Sequence, residues 1–339
     1  MVEQVEKLAL TVTFQLFYTV NSRVLLSVNS AEQEGFFCME IDWDELVTEY
    51  LLELAVRGYS QHTITGYRSK LQQAASIFKG WGVEPLQLRK KEVKQLILHW
   101  QQCGHQPSTI NKGLTLVKGM YDYCLDEEYL TVNPCVGVRK LRETRKIIYP
   151  LNDSEIKQVL SAAAQHPYPL LRHRNKVILM LLLDCGLRIG DVEQLNEADV
   201  LQNQLYIKEA KNRKERAVAL SPVMKKSLMQ YLRVKHSLGF VNEALIVTYH
   251  DTRMARNGIW LLMQKLAESC DIREEVRFSP HTLRHTYAAM QIRNGLDIHT
   301  LSLNMGHENI GITQTYLRSL HSDDFIEQSL KTSTLMNLK

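Results

Sequence analysis

From Asp42 onward, apolar residues recur at the spacing of amphipathic helices. "DWDELVTEYLLELAVRG" starts at Asp42, a typical N-cap residue, has Glu45 at the capping-box spacing and stops at a glycine. Three further amphipathic stretches follow, and Ser60 and Ser108 are predicted to open two of them. The pattern predicts a bundle of four short helices that ends at "VNP", residues 132–134.

Before Asp42 the pattern is different. In "LALTVTFQL", residues 8–16, leucine, valine and phenylalanine fall at every second position, which is typical of a β-strand. "RVLLSV" and "FFCMEI" are two more candidate strands. Residues 1–41 are therefore either a small β appendage that packs on the rest of the chain or a stretch upstream of a start at Met39, and the sequence assigns them no role.

Residues 151–320 combine helical stretches with a short β pattern. Asn152 and Glu155 again have capping-box spacing, and "VILMLLLDCG" is apolar on nearly every side, which predicts a buried central helix. "LYIKE" and "RAVAL" are predicted strands joined by the basic tip "AKNRK", and "ALIVTY", residues 244–249, is a further candidate strand. The prediction is a second, mixed domain that is mainly helical.

Between the two predicted domains, residues 137–150 have no clear period and are rich in basic side chains. These are Arg139, Lys140, Arg142, Arg145 and Lys146. A solvated linker often has this composition. A protein that closes around a phosphate backbone would use the same composition to bind it. The sequence supports the two interpretations equally, and we name these five residues as DNA-binding candidates.

Composition narrows the class of protein. The chain has 339 residues, 45% of them hydrophobic and 23% charged, which suits two globular domains. Its six cysteines have no regular spacing, which indicates reduced thiols, and we find no sequence pattern typical of an export signal or membrane span. We expect a soluble cytoplasmic protein.

The charge is unevenly distributed. Residues 1–41 carry two basic and five acidic residues, which leaves 39 basic and 32 acidic of the totals of 41 and 37 for the rest of the chain. The larger part is therefore basic enough to allow a polyanionic partner.

Candidate chemistry is concentrated between Ser279 and Tyr316. Ser279 and Pro280 are a typical helix start, so His281 and Arg284 lie near a helix N-terminus, on one face and close to its partial positive charge. A later helix is expected to end at a glycine that His307 follows directly, and we expect Tyr316 in the helix after that. Such a set of polar residues on apolar helices suits an anion site.

Each of these residues also has an ordinary structural interpretation. A single histidine, arginine or tyrosine is more often a packing or solvated residue than a catalytic one, and we assign His285 to that class. Metal binding by the histidines is disfavoured, because no HExxH motif or cysteine partner accompanies them and Arg284 would repel a cation. We predict no metal and no cofactor.

The motifs together resemble the tyrosine site-specific recombinases, the phage integrase and Xer-type family. They are "CGLRIGDVEQL" at 185–195, "KNRKERAVAL" at 211–220, "HTLRH" at 281–285, "MGHENI" at 305–310 and "TQTYLR" at 313–318. The resemblance covers residues 42–330 in the family's order and spacing. It implies a mainly α fold with a small β-sheet: a helical, SAM-like core-binding domain at 42–136, a linker at 137–150 and a mixed α/β catalytic domain at 151–320, which form a C-shaped clamp on DNA.

The resemblance also implies an active site. Its residues would be the paired arginines Arg188 and Arg284, the histidines His281 and His307, the hairpin lysine Lys211 and the nucleophile Tyr316. Lys208 and Lys214 remain alternatives to Lys211. Asp191, three residues after Arg188, has two equally supported interpretations: a group that supports the site by hydrogen bonding, or a solvated carboxylate.

This set of residues is chemically coherent. Two guanidiniums and the histidines can surround a phosphodiester and stabilise the charge that develops during attack by Tyr316. The resemblance implies a covalent 3′-phosphotyrosyl link, proton donation by Lys211 to the leaving 5′-oxygen, and strand exchange without metal or ATP. The expected function is site-specific recombination, in integration and excision of a mobile element or in resolution of replicon dimers.

The family further implies double-stranded DNA with specific sites, a homotetramer on paired sites, a nucleoid location, and as candidate partners DNA-bending proteins or a second recombinase. Residues 321–339 contain a helical pattern that docks on a neighbouring subunit or packs on its own domain. Two other functions are alternatives to site-specific recombination. One is a type IB topoisomerase-like nicking-closing enzyme, which would not need paired sites, and the other is a DNA-binding protein that has lost catalysis. All six active-site residues are present, which disfavours the second.

Overall fold

A computed structural model describes residues 41–144, 148–208, 215–307 and 309–316. The chain divides into two compact units between Thr144 and Arg145. Several predictions lie outside the described residues. They concern the β appendage before residue 41, the basic residues Arg145 and Lys146, the lysines Lys211 and Lys214, and the tail at 321–339.

The described residues of the first unit form four α-helices, with one short 3-10 turn at Pro85–Gln87. The helices are α1 (Trp43–Val56), α2 (Gln61–Gly80), α3 (Lys90–Gln102) and α4 (Pro107–Asp126). The caps predicted from the sequence are present: the Asp42 side chain accepts from two backbone amides of the first turn, and Ser60 accepts from Thr63. α4 begins one residue earlier than predicted, because Pro107 takes the first helical position and Ser108 lies inside the helix.

A core rich in aromatic side chains holds this unit together. Trp43 of α1 stacks on Phe78 of α2 with ring centroids 5.0 Å apart, and its indole nitrogen donates to the carbonyl of Val83. Tyr121 of α4 is fully buried and donates to the carbonyl of Pro85. Each buried ring contributes a large apolar area, and its polar group has a partner, so these residues fix the angles between helices.

The residues after α4 are fastened to it by asparagines. Asn133 is buried and bonds to the carbonyl of Lys118 and the carboxylate of Asp122. Asn111 binds both the amide and the carbonyl of Leu141. This segment therefore runs along α4 and carries the exposed side chains of Arg139, Lys140 and Arg142.

Within its described residues, the second unit is mainly helical and contains one two-stranded sheet. Its elements are α5 (Asp153–Ala163), α6 (Pro169–Leu183), α7 (Ile189–Gln194), a 3-10 turn (Glu197–Asp199), β1 (Gln204–Ile207), β2 (Arg216–Ala219), α8 (Pro222–Ser237), α9 (Arg256–Ser269), α10 (Pro280–Arg293), α11 (Ile298–Met305) and α12 (Ile310–Gln314). The central helix α6 is buried as predicted, with Val177, Ile178 and Leu181 fully enclosed. The strands are antiparallel, and Ile207 pairs with Arg216.

Two details differ from the predictions. Residues 244–249 form isolated bridges rather than a strand, because Leu245 donates to the carbonyl of Leu195 while the amide of Val247 donates to the hydroxyl of Tyr231. These partners satisfy a buried backbone without a neighbouring strand. Tyr316 lies two residues beyond the end of α12 rather than within it.

None of the helices in the described ranges combines the length and the apolar character that a membrane span needs.

Among the described glycines of this unit, Gly186 leaves the least room for a side chain. It has φ +60°, and a Cβ placed there would lie 2.2 Å from a ring carbon of Tyr287. Gly295 also has a positive φ, of +90°, but its surroundings are open.

We expect Gly186→Ala to destabilise the unit more than Gly295→Ala. Both variants strain a left-handed backbone, but only the first forces a methyl group into the Tyr287 ring, at an added cost of about 1–3 kcal/mol. Urea unfolding of the full chain, followed by circular dichroism, measures the difference. Equal midpoints for the two variants would contradict the close packing.

Candidate active site

The start of α10 places two of the predicted residues. Ser279 caps the helix by accepting from the amide of Thr282, and Pro280 takes the first helical position. His281 and Arg284 follow one turn apart. The His281 side chain is exposed, whereas Arg284 is buried at 3% exposure. One helix N-terminus thus carries an accessible imidazole above an enclosed guanidinium.

Arg284 is held by the ends of two other segments. Its Nη1 donates to the carbonyl of Gly186 at 2.5 Å, and its Nη2 donates to the carbonyl of Met305 at 2.7 Å. Nη2 also lies 3.0 Å from Nε2 of His307. Burial, followed by the charge of Arg188, lowers the pKa of Arg284 to about 10. Arg284 therefore remains charged at neutral pH.

Arg188 precedes α7, and its backbone amide donates to Oδ2 of Asp191 at 3.0 Å. Its Nη2 donates to the carbonyl of Gly306 at 2.8 Å. Both arginines therefore donate to carbonyls at the end of α11, Arg284 to Met305 and Arg188 to Gly306. The two guanidiniums converge on one short segment, as expected for a paired anion site.

Gly306 ends α11 in a left-handed conformation, with φ 63° and ψ 48°. His307 follows, and its Nδ1 lies 2.8 Å from the hydroxyl of Thr313. Because a guanidinium can only donate, Nε2 of His307 must accept from Arg284, so in the neutral ring Nδ1 carries the proton and donates to Thr313. Burial and then the charges of Arg284, Arg188 and Arg216 lower the pKa of His307 to about 4.

Tyr316 is buried at 4% exposure against two histidine rings. Its ring centroid lies 4.7 Å from that of His285 and 6.0 Å from that of His307, nearly parallel to the latter. Burial raises the pKa of the phenol, while the charge of Arg284, a hydrogen bond from Arg284 and the charge of Arg188 lower it. The hydroxyl thus lies within the electrostatic influence of both arginines.

The described part of the structure brings four of the six predicted active-site residues together. Arg188, Arg284, His307 and Tyr316 come together through the contacts above, and His281 is near enough to Arg284 for that charge to lower its pKa, second to burial. Lys208, an alternative to Lys211, is largely exposed and pairs with the buried carboxylate of Asp199 at 3.1 Å.

Sequence reasoning missed Arg216. Its side chain is 9% exposed, and its Nη2 donates to Oδ2 of Asp191 at 2.6 Å. A signal was present in the sequence: in "RAVAL", Arg216 falls two residues before Val218, so a charged residue shares the inward strand face with an apolar one. From that motif only a strand was predicted.

The first unit has a basic groove of its own. It lies between α2, α4 and the segment after α4. Its lining includes three lysines, two hydroxyl residues and one carboxylate: Lys70, Lys112, Lys140, Ser108, Thr115 and Glu143. Lys140 is one of the predicted DNA-binding residues. Ammonium and hydroxyl groups in one groove suit contacts to a phosphate backbone.

Family models match both units. Residues 150–322 match the phage integrase family, and residues 47–128 match the phage integrase N-terminal SAM-like domain.

Curated relatives have similar lengths. Tyrosine recombinase XerC of Thermodesulfovibrio yellowstonii is 24% identical over 278 residues, 80% of this chain and 90% of the relative. Tyrosine recombinase XerD of Halalkalibacterium halodurans is 26% identical over 269 residues, 77% and 88% of the two chains.

Solved structures share the fold at lower identity. XerH recombinase bound to a palindromic difH substrate, a post-cleavage complex, has a TM-score of 0.68 at 17% identity and covers 88% of this chain and 91% of that one. A lambda integrase tetramer bound to a Holliday junction has a TM-score of 0.66 at 17% identity, with 89% and 85% coverage.

The buried histidines give the second unit a pH dependence. Burial and then His281 lower the pKa of His285 to about 4, similar to that of His307. The unfolded chain protonates these rings near pH 6.5, so it binds more protons than the folded chain at pH 5. Their contribution to stability is complete above about pH 6.5 and is lost as the pH falls towards 4.

We expect His285→Gln to weaken this dependence between pH 6.5 and 5, where each such ring contributes up to about 1.4 kcal/mol per pH unit. The matched control is His299→Gln, because His299 is exposed on α11. Denaturant unfolding at a series of pH values compares the slopes. A slope that is unchanged in His285→Gln but altered in the control would show that His285 is not the titrating group.

Proposed function

Since the chain belongs to the phage integrase family and is a site-specific tyrosine recombinase, we propose that Tyr316 attacks a DNA phosphodiester and becomes joined to its 3′-phosphate. The observation that carries this proposal is the shared contact of Arg284, which donates to His307 and to the Tyr316 hydroxyl. A nucleophile and its charge-stabilising groups are thereby linked before DNA is present.

The two arginines bind the phosphate. A phosphodiester carries one negative charge, and in-line attack gathers more charge on its non-bridging oxygens. Arg188 and Arg284 are already fixed by backbone carbonyls, so little reorganisation is needed when that charge develops. His281 completes the group as an exposed neutral imidazole, and His307 accepts from Arg284 and so helps to orient that guanidinium.

Tyr316 loses its proton as it attacks. Burial opposes the phenolate, and the positive charges of Arg284 and Arg188, which are already in place, favour it. We assign His281 as the base, because its side chain is exposed and its lowered pKa keeps it neutral and able to accept a proton at pH 7.

The bond between phosphorus and the 5′-oxygen breaks as the tyrosyl bond forms, and the leaving oxygen takes a proton from Lys211. The pairing of Lys208 with Asp199 supports Lys211 over Lys208. The phosphotyrosyl ester conserves the energy of the broken bond, so attack by a 5′-hydroxyl of another duplex rejoins the strand without ATP.

Recognition uses both units. Lys70, Lys112 and Lys140 of the basic groove, with Arg139, Arg142, Arg145 and Lys146, contact the phosphate backbone. By analogy with the lambda integrase tetramer, this chain acts as a homotetramer on two paired sites of double-stranded DNA. Such an assembly brings four Tyr316 side chains to two duplexes.

The nucleophile is tested with Tyr316→Phe. On nicked duplexes that cover the DNA flanking the gene, we expect wild type to form a protein–DNA adduct that survives a denaturing gel in EDTA, and Tyr316→Phe to form none. Its affinity for the same duplex should be unchanged, because only the attacking oxygen is removed. An adduct formed by the phenylalanine variant would disprove the assignment.

The proton donor is tested with Lys211→Ala. We expect this variant to cleave ordinary DNA at least about 100-fold more slowly, and to recover when sulfur replaces the bridging 5′-oxygen, because a thiolate leaves without a proton. Lys208→Ala is the matched control and should cleave both substrates at similar rates relative to wild type. Recovery by the sulfur substrate in Lys208→Ala or Lys214→Ala instead would assign the donor to that lysine.

A further inference from the structure

Arg216 contacts Asp191 and Gly306, the two residues that also hydrogen-bond Arg188. Its Nη2 donates to Oδ2 of Asp191, the oxygen that also accepts from the amide of Arg188. Its guanidinium lies against Gly306, whose carbonyl accepts from Nη2 of Arg188. Arg216 and Arg188 are therefore linked twice, once through a carboxylate and once through a peptide group.

Gly306 packs so close to Arg216 that a side chain would have little room there. A Cβ at that position would lie 3.0 Å from Nη1 of Arg216 and 3.2 Å from both Cδ and Cζ. The peptide before His307 thus packs directly on the side chain of Arg216. Through this contact a shift of the guanidinium would move the carbonyl that orients Arg188 and the histidine that follows it.

Among the residues that the structure describes, the guanidinium is also incompletely satisfied. Its Nε and Nη1 are buried, and neither has a hydrogen-bond partner there. Unpaired buried donors lower stability, and an apolar side chain of similar size often replaces a buried ion pair without loss. A charge retained at this cost is better explained by a role in the site than by a role in folding.

We propose that Arg216 is a positioning residue for Arg188: through Asp191 and Gly306 it holds the Arg188 guanidinium in place to bind the scissile phosphate. The inference rests on the proposed function. Arg216 itself does not touch the reacting atoms, because its nitrogens are enclosed. Its effect on the rate is exerted through the alignment of Arg188 and of the peptide that precedes His307.

The experiment compares two substrates. One is the ordinary nicked suicide duplex, and in the other a methyl group replaces one non-bridging oxygen of the scissile phosphate, which removes its negative charge. With the neutral phosphate less charge develops during attack, so the alignment of Arg188 matters less. If a variant loses rate because the protein is destabilised, the loss should be the same on both substrates.

We expect Arg216→Met to form the Tyr316 adduct about 100-fold more slowly than wild type on ordinary DNA, which is the effect of a misplacement of about 1 Å. On the methyl-substituted duplex the loss should be less than about tenfold. Single-turnover rates on denaturing gels give both ratios, with wild type measured on each substrate. If Arg216→Met does not fold, the same two ratios are measured for Arg216→Lys.

Lys235→Met is the matched control. Lys235 is fully buried in α8, pairs with Glu197 and donates to the carbonyls of Asn242 and Ala244, so its loss also removes a buried charge in the same unit. Any rate loss in this variant should be equal on the two substrates.

An equal loss on both substrates in Arg216→Met, with wild type reactive, would overturn the positioning role and leave the proposed function intact. No adduct from wild type on either substrate would instead overturn the proposed function, and the inference with it.

Discussion

A buried positive charge with neutral partners is the constraint on which the catalytic unit depends. Arg284 is almost fully enclosed, and the acceptors that fix its two terminal nitrogens include two backbone carbonyls and a neutral imidazole. A carboxylate in their place would cancel the charge that a phosphate needs to find. Carbonyls at the ends of helices orient the guanidinium and leave its charge available.

The surrounding fold can be understood as the means of bringing those carbonyls together. Gly186 follows the buried helix α6, and Gly306 ends α11, and each adopts a left-handed conformation that turns the chain sharply. The turns direct the carbonyls of Gly186 and Met305 to one guanidinium. The hydrophobic cluster around α6 fixes the first of these, and the smaller cluster that contains Tyr287, Leu301 and Met305 fixes the second.

Much of this architecture could be predicted from the sequence, because local rules decide it. The caps at Asp42, Ser60, Asn152 and Ser279 act within one turn, and their helices start where the residue types indicate. The strand predicted at residues 244–249 is wrong because apolar, β-branched residues are also found in buried irregular backbone, here bonded partly to the nearby residues 252–254 and partly to distant ones such as Leu195 and Tyr231. Arg216 was not predicted for a related reason. It contacts Asp191 and Gly306, and both lie far from it in the sequence.

Tyr316 has a consequence for how the protein behaves away from its target. In the proposed reaction, the phenol of Tyr316 and the guanidinium of Arg284, which are 4% and 3% exposed, must both become accessible before they meet a phosphate, so the Tyr316 ring leaves its contact with His285 and His307. The free energy of that release is drawn from DNA binding. On the proposed function, the affinity for a site is therefore lower than the contacts made there would give by themselves.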